Sequence, residues 1–180
     1  VLLDETRVGR LADAGLDHVQ ISFQDTDATN ADRIAHYEQA HAKKLALAQW
    51  GGAAGLPLTV NAPIHRQNIA SLPAFIELAV ALGARRLEVA HVQYYGWALA
   101  NRASLMPTRA QVLETAKVVE AARARLNGIL TIDFVVPDYY ASRPKPCMGG
   151  WGRGIMNITP SGLVLPCHAA QSLPGLQFES

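Results

Sequence analysis

Cysteine is scarce in this sequence: Cys147 and Cys167 are the only two in 180 residues. Two cysteines do not make the disulfide framework of a small secreted domain. Neither belongs to a Cys-x2-Cys knuckle, and none of the six histidines stands at a spacing such as His-x3-His from another. No apolar run approaches the roughly 18 residues a membrane helix needs, and no signal peptide is visible, so a cytoplasmic location is the default expectation. Charge of one sign is also lacking. The formal net charge is +1, with no basic stripe for nucleic acid and no excess that favours an acidic or basic partner. The aromatic residues are few and scattered, with no stacking pattern. An initiating Met is missing too: the chain opens VLLDETRVGRLADAG, already inside a structural element. A fragment of a longer protein is therefore expected.

What is present is a repeated punctuation. Hydrophobic residues make up 49% of the chain, enough for a sizeable core. In four segments a helical pattern stops at a glycine (Gly15, Gly55, Gly83, Gly128) and an apolar, β-rich run follows. Glycine suits the position just past a helix because it accepts positive φ. The expected strands are 17–24, 56–62, 85–92 and 129–136. Asp4 can cap a first helix carrying Val8, Leu11 and Ala12 on one face. Thr29 or Asn30 can cap one long second helix with Ile34, Tyr37, Leu45 and Ala48 as its stripe. A third starts near Ser71-Leu72-Pro73 and turns Phe75, Ile76, Ala79 and Leu82 inward. A fourth opens with the capping box Thr108-Arg109-Ala110-Gln111. Alternating helices and strands with short loops predict an α/β fold with parallel strands joined by right-handed crossovers. Four parallel strands leave two open edges. That fits a fragment whose other strands precede Val1, and it predicts exposed apolar edges and poor solubility for the isolated piece.

After Pro137 the texture changes to Tyr, Pro and Gly without periodicity, and a domain boundary is placed there. Then IMNITPSGLVLPC sets two short apolar runs around Thr159-Pro160-Ser161-Gly162, the pattern of a tight turn in a β-hairpin.

In parallel α/β folds, sites form where the strands end. The first strand delivers Gln20, Ser22, Gln24 and Asp25; the second ends in Asn61, with His65, Arg66 and Asn68 just beyond. The third gives His91, Gln93, Tyr94 and Tyr95, and the fourth Asp133. Gln20, Ser22 and Gln24 share one face by the period-2 rule, which suits a polar ligand or a satisfied polar interior. The favoured reading of Asp25 and Asn68 is that they only cap the helices that follow. His18, His36 and His41 read as surface residues.

The stretch CMGGWGRGIMNITPSGLVLPCH holds both cysteines. A disulfide is geometrically open but disfavoured in a cytosolic chain. Zinc wants four N/S ligands, and Cys147, Cys167 and His168 offer three. Two unrelated structural cysteines are the plainest reading of the composition. The spacing adds more: Cys147, fourteen residues, Gly162, four residues, Cys167. It resembles the opening of the SPASM domain of radical S-adenosylmethionine (SAM) enzymes. The wording HVQISFQD, AHAKKLALA, HVQYYGWALANRASLMPT, PCMGGWGRG and ITPSGLVLPCHAA resembles, within them, the PqqE family of pyrroloquinoline quinone (PQQ) biosynthesis.

That resemblance implies a partial (βα) barrel of the radical SAM type over 1–136 and the start of a SPASM domain over 137–180. It implies a [4Fe-4S] cluster with S-adenosylmethionine, and auxiliary iron–sulfur clusters to which Cys147 and Cys167 contribute thiolates. The implied reaction joins a glutamate and a tyrosine of the precursor peptide PqqA by a carbon–carbon bond. The peptide chaperone PqqD and an external electron donor take part. On the same resemblance Ser22, with Gln20 beside it, lies on a strand that meets SAM. Asn61 and Gln93 line the barrel mouth, Arg33 is a partner for the SAM carboxylate, and Tyr94 and Tyr95 face adenine or peptide. The sequence departs from the family in lacking its Cys-x3-Cys-x2-Cys loop and the later SPASM cysteines. Two cysteines complete no four-cysteine cluster, so this stretch by itself is expected to be inactive. Two competing readings stand beside it: another SPASM peptide-modifying enzyme such as a sulfatase maturase, and a non-redox α/β binding module with plain thiols.

Overall fold

A computed structural model describes residues 3–135, 138–140, 150–167 and 169–178. In chain order its helices and strands are α1 (Glu5–Asp13), β1 (Val19–Ser22), α2 (Ala28–Ala35), α3 (Ala40–Ala53), β2 (Leu58–Ile64), α4 (Leu72–Ala81), β3 (Arg86–His91), α5 (Gly96–Ala100), α6 (Arg102–Leu105), α7 (Arg109–Arg125), β4 (Thr131–Val135), β5 (Asn157–Ile158) and β6 (Val164–Leu165). Short 3-10 turns at Ile69–Ser71, Asp138–Tyr140 and Ala170–Ser172 complete the set. The chain divides into two compact units, Val1–Val92 with Ala103–Val136, and Gln93–Arg102 with Pro137–Ser180. Among the described residues no helix is long and apolar enough to cross a membrane.

The first unit is α/β, with a four-stranded sheet in the order β1-β2-β3-β4 and every pairing parallel. Its strands alternate strictly between two faces. Ile21, Leu58, Val60, Ala62, Ile64, Leu87, Val89 and Ile132 are buried on one of them. Against that face pack Phe75, Ile76 and Ala79 of α4, Val119 and Ala122 of α7 and Ala48 of α3, forming one contiguous core. Each fully buried Val, Leu, Ile or Phe among them contributes about 1.5–3 kcal/mol.

Local signals set the ends of these elements. Asp4 caps α1 by accepting the Arg7 N–H at 2.9 Å. Thr108 and Gln111 form the reciprocal capping box of α7. At Gly55 (φ +75) and Gly83 (φ +64) the chain reverses in a Schellman closure. Leu56 N–H reaches Gly51 O and Ala84 N–H reaches Ala79 O, both at 2.9 Å.

The expected single second helix is two helices. His36 (φ 50) and Gln39 (φ 63) take left-handed conformations between α2 and α3. Asp32 causes the break by satisfying the start of α3 from the side: its carboxylate accepts the N–H of Gln39 at 2.6 Å and of His41 at 2.9 Å. The cap of α2 is Asp27, which accepts the Asn30 N–H, rather than Thr29 or Asn30. Tyr37 is not part of a buried stripe; it is 48% exposed under the Lys43 ammonium. His41 is buried against Phe23 and not a surface residue.

In the second unit β5 and β6 pair antiparallel, Asn157 with Leu165 and Ile158 with Val164. The predicted turn joins them. Gly162 (φ +88) donates to Thr159 O, and Thr159 Oγ1 accepts the Leu163 N–H. The rings of Tyr94, Tyr139 and Tyr140 meet edge to face, with centroids 5.1 and 5.0 Å apart.

Candidate functional site

The sheet face opposite the core is polar, which is unusual for a parallel sheet. Register makes it so. Ser22 pairs with Asn61, Asn61 with Glu88, and Glu88 with Asp133, one polar residue from each strand in a single row. One step earlier lie Gln20, Thr59, Arg86 and Thr131. Ser22, Asn61, Glu88 and Asp133 are half-buried, and Gln20 and Arg86 are exposed. Asn61 Nδ2 donates to Ser22 Oγ at 2.9 Å. Its Oδ1 is buried with no hydrogen-bond partner among the described residues. Gln20 Nε2 donates to Glu88 Oε2 at 3.5 Å, and Arg86 pairs with Asp133. A buried acceptor left open beside a hydroxyl and a carboxylate is equipped to receive the donors of a polar ligand.

A second cluster sits at the C-terminal ends of β1 and β2. The Asp25 carboxylate accepts the N–H groups of Thr26 and Asp27 and the Asn30 amide. Burial pushes its pKa up, but the hydrogen bonds from Ser71, Asn30 and the backbone outweigh burial and hold it below the ordinary value. Asn68 ties the two strand ends together. Its Nδ2 donates to Gln24 O and Pro63 O, and its Oδ1 accepts the His65 N–H. Neither side chain is a plain helix cap: α2 is capped by Asp27, and Asn68 makes no side-chain capping bond. Arg33 lies on α2, exposed, and donates to Asn30 Oδ1 and to Gln67 Oε1. His65 is buried, and burial first, then the Arg33 charge, lowers its pKa against the pull of Asp25. It stays a neutral ring that accepts the Gln67 N–H at Nδ1, 3.2 Å away. Gln24 is engaged by the Lys44 ammonium, whose own pKa burial lowers.

Gln93 and Tyr94 belong to the second unit, where Gln93 is exposed and Tyr94 half-buried. In that unit Cys167 follows β6 as a half-buried free thiol, and its Sγ accepts the Ala169 N–H at 3.3 Å. Burial, then Cys167, pushes the Tyr95 phenol up. Backbone passes close by: a Cβ on Gly152 would lie 3.4 Å from the Pro166 side chain. Cys147 lies outside the described residues. A half-buried thiol that accepts a backbone N–H fits the chemistry of an iron–sulfur ligand.

The structure therefore brings Gln20, Ser22 and Asn61 onto one face and sets Arg33 in the loop cluster. Glu88, Arg86, Thr59 and Gln67 were not singled out in the sequence. The strict alternation of Arg-Leu-Glu-Val-Ala-His carries the signal for Arg86 and Glu88.

No family model matches the chain. Its sequence is 63% identical over 180 residues to the PqqA peptide cyclase of Rhodopseudomonas palustris, covering all of this chain and 48% of that protein. It is 62% identical over 180 residues to that of Bradyrhizobium diazoefficiens, 47% of which is covered. The match to that of Methylobacterium nodulans is 62% over 168 residues, 93% of this chain and 44% of the relative. Among solved structures the fold is similar to Streptococcus suis SuiB bound to S-adenosylmethionine (TM-score 0.73, 15% identity, all of this chain and 43% of SuiB). It is similar also to SuiB bound to precursor peptide SuiA (TM-score 0.70, 14% identity, 99% and 43%). The chain spans about half the length of the curated relatives it matches. Along the whole of its length the chain is thus homologous to about half the length of the curated proteins named PqqA peptide cyclase.

Proposed function

We propose that this chain is part of a radical SAM peptide cyclase that joins a glutamate and a tyrosine of PqqA in PQQ biosynthesis. The observation that carries the reading is the 63% identity to a PqqA peptide cyclase over all 180 residues. The fold supports it: a parallel sheet with helices on one face and a polar row on the other is what the inner wall of a partial barrel requires. On this reading 1–136 belongs to the barrel, 137–180 opens a SPASM domain, and the enzyme works in the cytoplasm.

Within the polar face, Ser22 and Gln20 lie on the strand that would meet SAM, and the open Asn61 Oδ1 would accept a donor from the same ligand. Arg33 meets the SAM carboxylate, because a guanidinium suits that geometry. Gln93 and Tyr94 are cofactor-binding residues on the same reading. Cys167, with Cys147, supplies thiolates to an auxiliary iron–sulfur cluster, which two cysteines leave incomplete without further ligands. When bound, the SAM-cluster pair supplies the radical that removes a hydrogen from the peptide, and the protein orients the two side chains and excludes water. SuiB, similar in fold, has been solved with SAM and with a precursor peptide, which fits a polar face that holds both.

The test is direct. Full-length protein, reconstituted anaerobically, is given SAM, an external electron donor, PqqD and PqqA peptide. The expected product is a peptide two hydrogens lighter with a glutamate–tyrosine crosslink by tandem mass spectrometry. Peptide recovered unmodified while SAM is cleaved would overturn the cyclase assignment.

A further inference from the structure

Gln67 stands on the loop after β2 and touches three members of the cluster at the strand ends. Its Oε1 accepts from Arg33 Nη2 at 3.1 Å, and its backbone O accepts from Asn30 Nδ2 at 3.1 Å. Its N–H donates to His65 Nδ1. On the other side, Asn30 Oδ1 accepts from Arg33 Nε at 3.1 Å and Nη2 at 2.6 Å. Asn30 is itself fixed by Asp25. Arg33 is thus gripped from two elements by amide oxygens alone. No carboxylate lies within ion-pair distance of it among the described residues, and Nη1 makes no bond there.

The choice of acceptor matters. A carboxylate at either position would hold the guanidinium as firmly and cancel its charge. Two neutral amides orient it and leave the charge available to an incoming anion. The exposure of Arg33 keeps it reachable.

We propose that Gln67 is a positioning residue that holds Arg33 oriented without compensating its charge, and so sets affinity for the carboxylate end of SAM. This rests on the reading of Arg33 as the partner of that carboxylate. Gln67 touches Arg33 and not the ligand.

The experiment compares two probes on reconstituted full-length protein. S-adenosylhomocysteine carries the amino-acid end, whereas 5′-methylthioadenosine keeps the adenosine and thioether without it. Gln67→Glu preserves size, the acceptor on Arg33 and both backbone bonds, and adds one negative charge. It is expected to weaken S-adenosylhomocysteine about tenfold and to leave 5′-methylthioadenosine within about twofold, since one ion pair is screened from only one ligand. Gln67→Ala, which loosens Arg33 without discharging it, is expected to weaken S-adenosylhomocysteine less than Gln67→Glu does. Equal weakening of both probes, or unchanged S-adenosylhomocysteine binding in Gln67→Glu, would overturn the proposal. If instead Arg33→Ala binds S-adenosylhomocysteine as the parent does, the Arg33 reading itself falls and the proposal with it.

Discussion

Asn61 Nδ2 donates to Ser22 Oγ across the β1–β2 pairing at 2.9 Å, and this bond turns the amide so that its buried Oδ1 has no partner among the described residues. A buried acceptor without a partner costs about 1–3 kcal/mol. A ligand donor recovers that cost on binding. Asn61→Leu is therefore expected to change stability little while weakening SAM binding by about tenfold or more, as measured by equilibrium dialysis on the full-length protein. Unaltered SAM affinity in Asn61→Leu would remove Asn61 from the site.

Cys167 accepts the Ala169 N–H in the half-buried turn after β6. The double variant Cys147→Ala, Cys167→Ala is expected to lose a share of the iron and acid-labile sulfide that the full-length parent takes up on anaerobic reconstitution. Iron content equal to the parent's would return both residues to plain thiols.

Acidification acts through two groups of the strand-end cluster in different windows. Burial and the Arg33 charge depress the His65 pKa from its ordinary 6.5, so the unfolded chain binds this proton first and folding stability falls as pH drops below 6.5 toward the lower folded value. Asp25 is depressed below its ordinary 3.8 by its hydrogen bonds. Its contribution is full above 3.8 and is lost as pH falls through the folded value. Urea midpoints followed against pH are expected to show His65→Gln flattening the upper limb alone and Asp25→Asn flattening the lower limb alone. A parent midpoint that does not fall as the pH drops below 6.5 would contradict the His65 assignment.

Phe75 is fully buried between α4 and the apolar sheet face. Phe75→Ala is expected to destabilise the first unit by about 3–5 kcal/mol, visible as faster amide exchange in β2 and β3. By contrast the Arg86–Asp133 pair is about half exposed on both sides, and Asp133→Asn is expected to change stability by about 1 kcal/mol or less. A large loss from Asp133→Asn would show that the polar face is buried in the full-length protein.

The sequence by itself determined the alternation of helices and parallel strands in the first unit, though it merged α2 with α3, because the signals are local. Asp4, the Thr108–Gln111 box and the glycines after α1, α3, α4 and α7 each act within a turn of their own position. The hairpin turn at 159–162 was legible for the same reason, and so was the apolar face of α4. Gln20 and Ser22 could be placed on one face from the strand period alone. Only the tertiary structure decided what stands beside them. The row Ser22–Asn61–Glu88–Asp133 depends on the stagger of four parallel strands, which no local pattern encodes. The break between α2 and α3 depends on Asp32 reaching seven and nine residues ahead to replace a cap. The grip on Arg33 depends on Gln67, thirty-four residues away, arriving at the same corner because β1 and β2 end side by side. Side-chain hydrogen bonds of that kind act over about 3 Å of space at any distance in sequence, and so the chain reveals them only once it is folded.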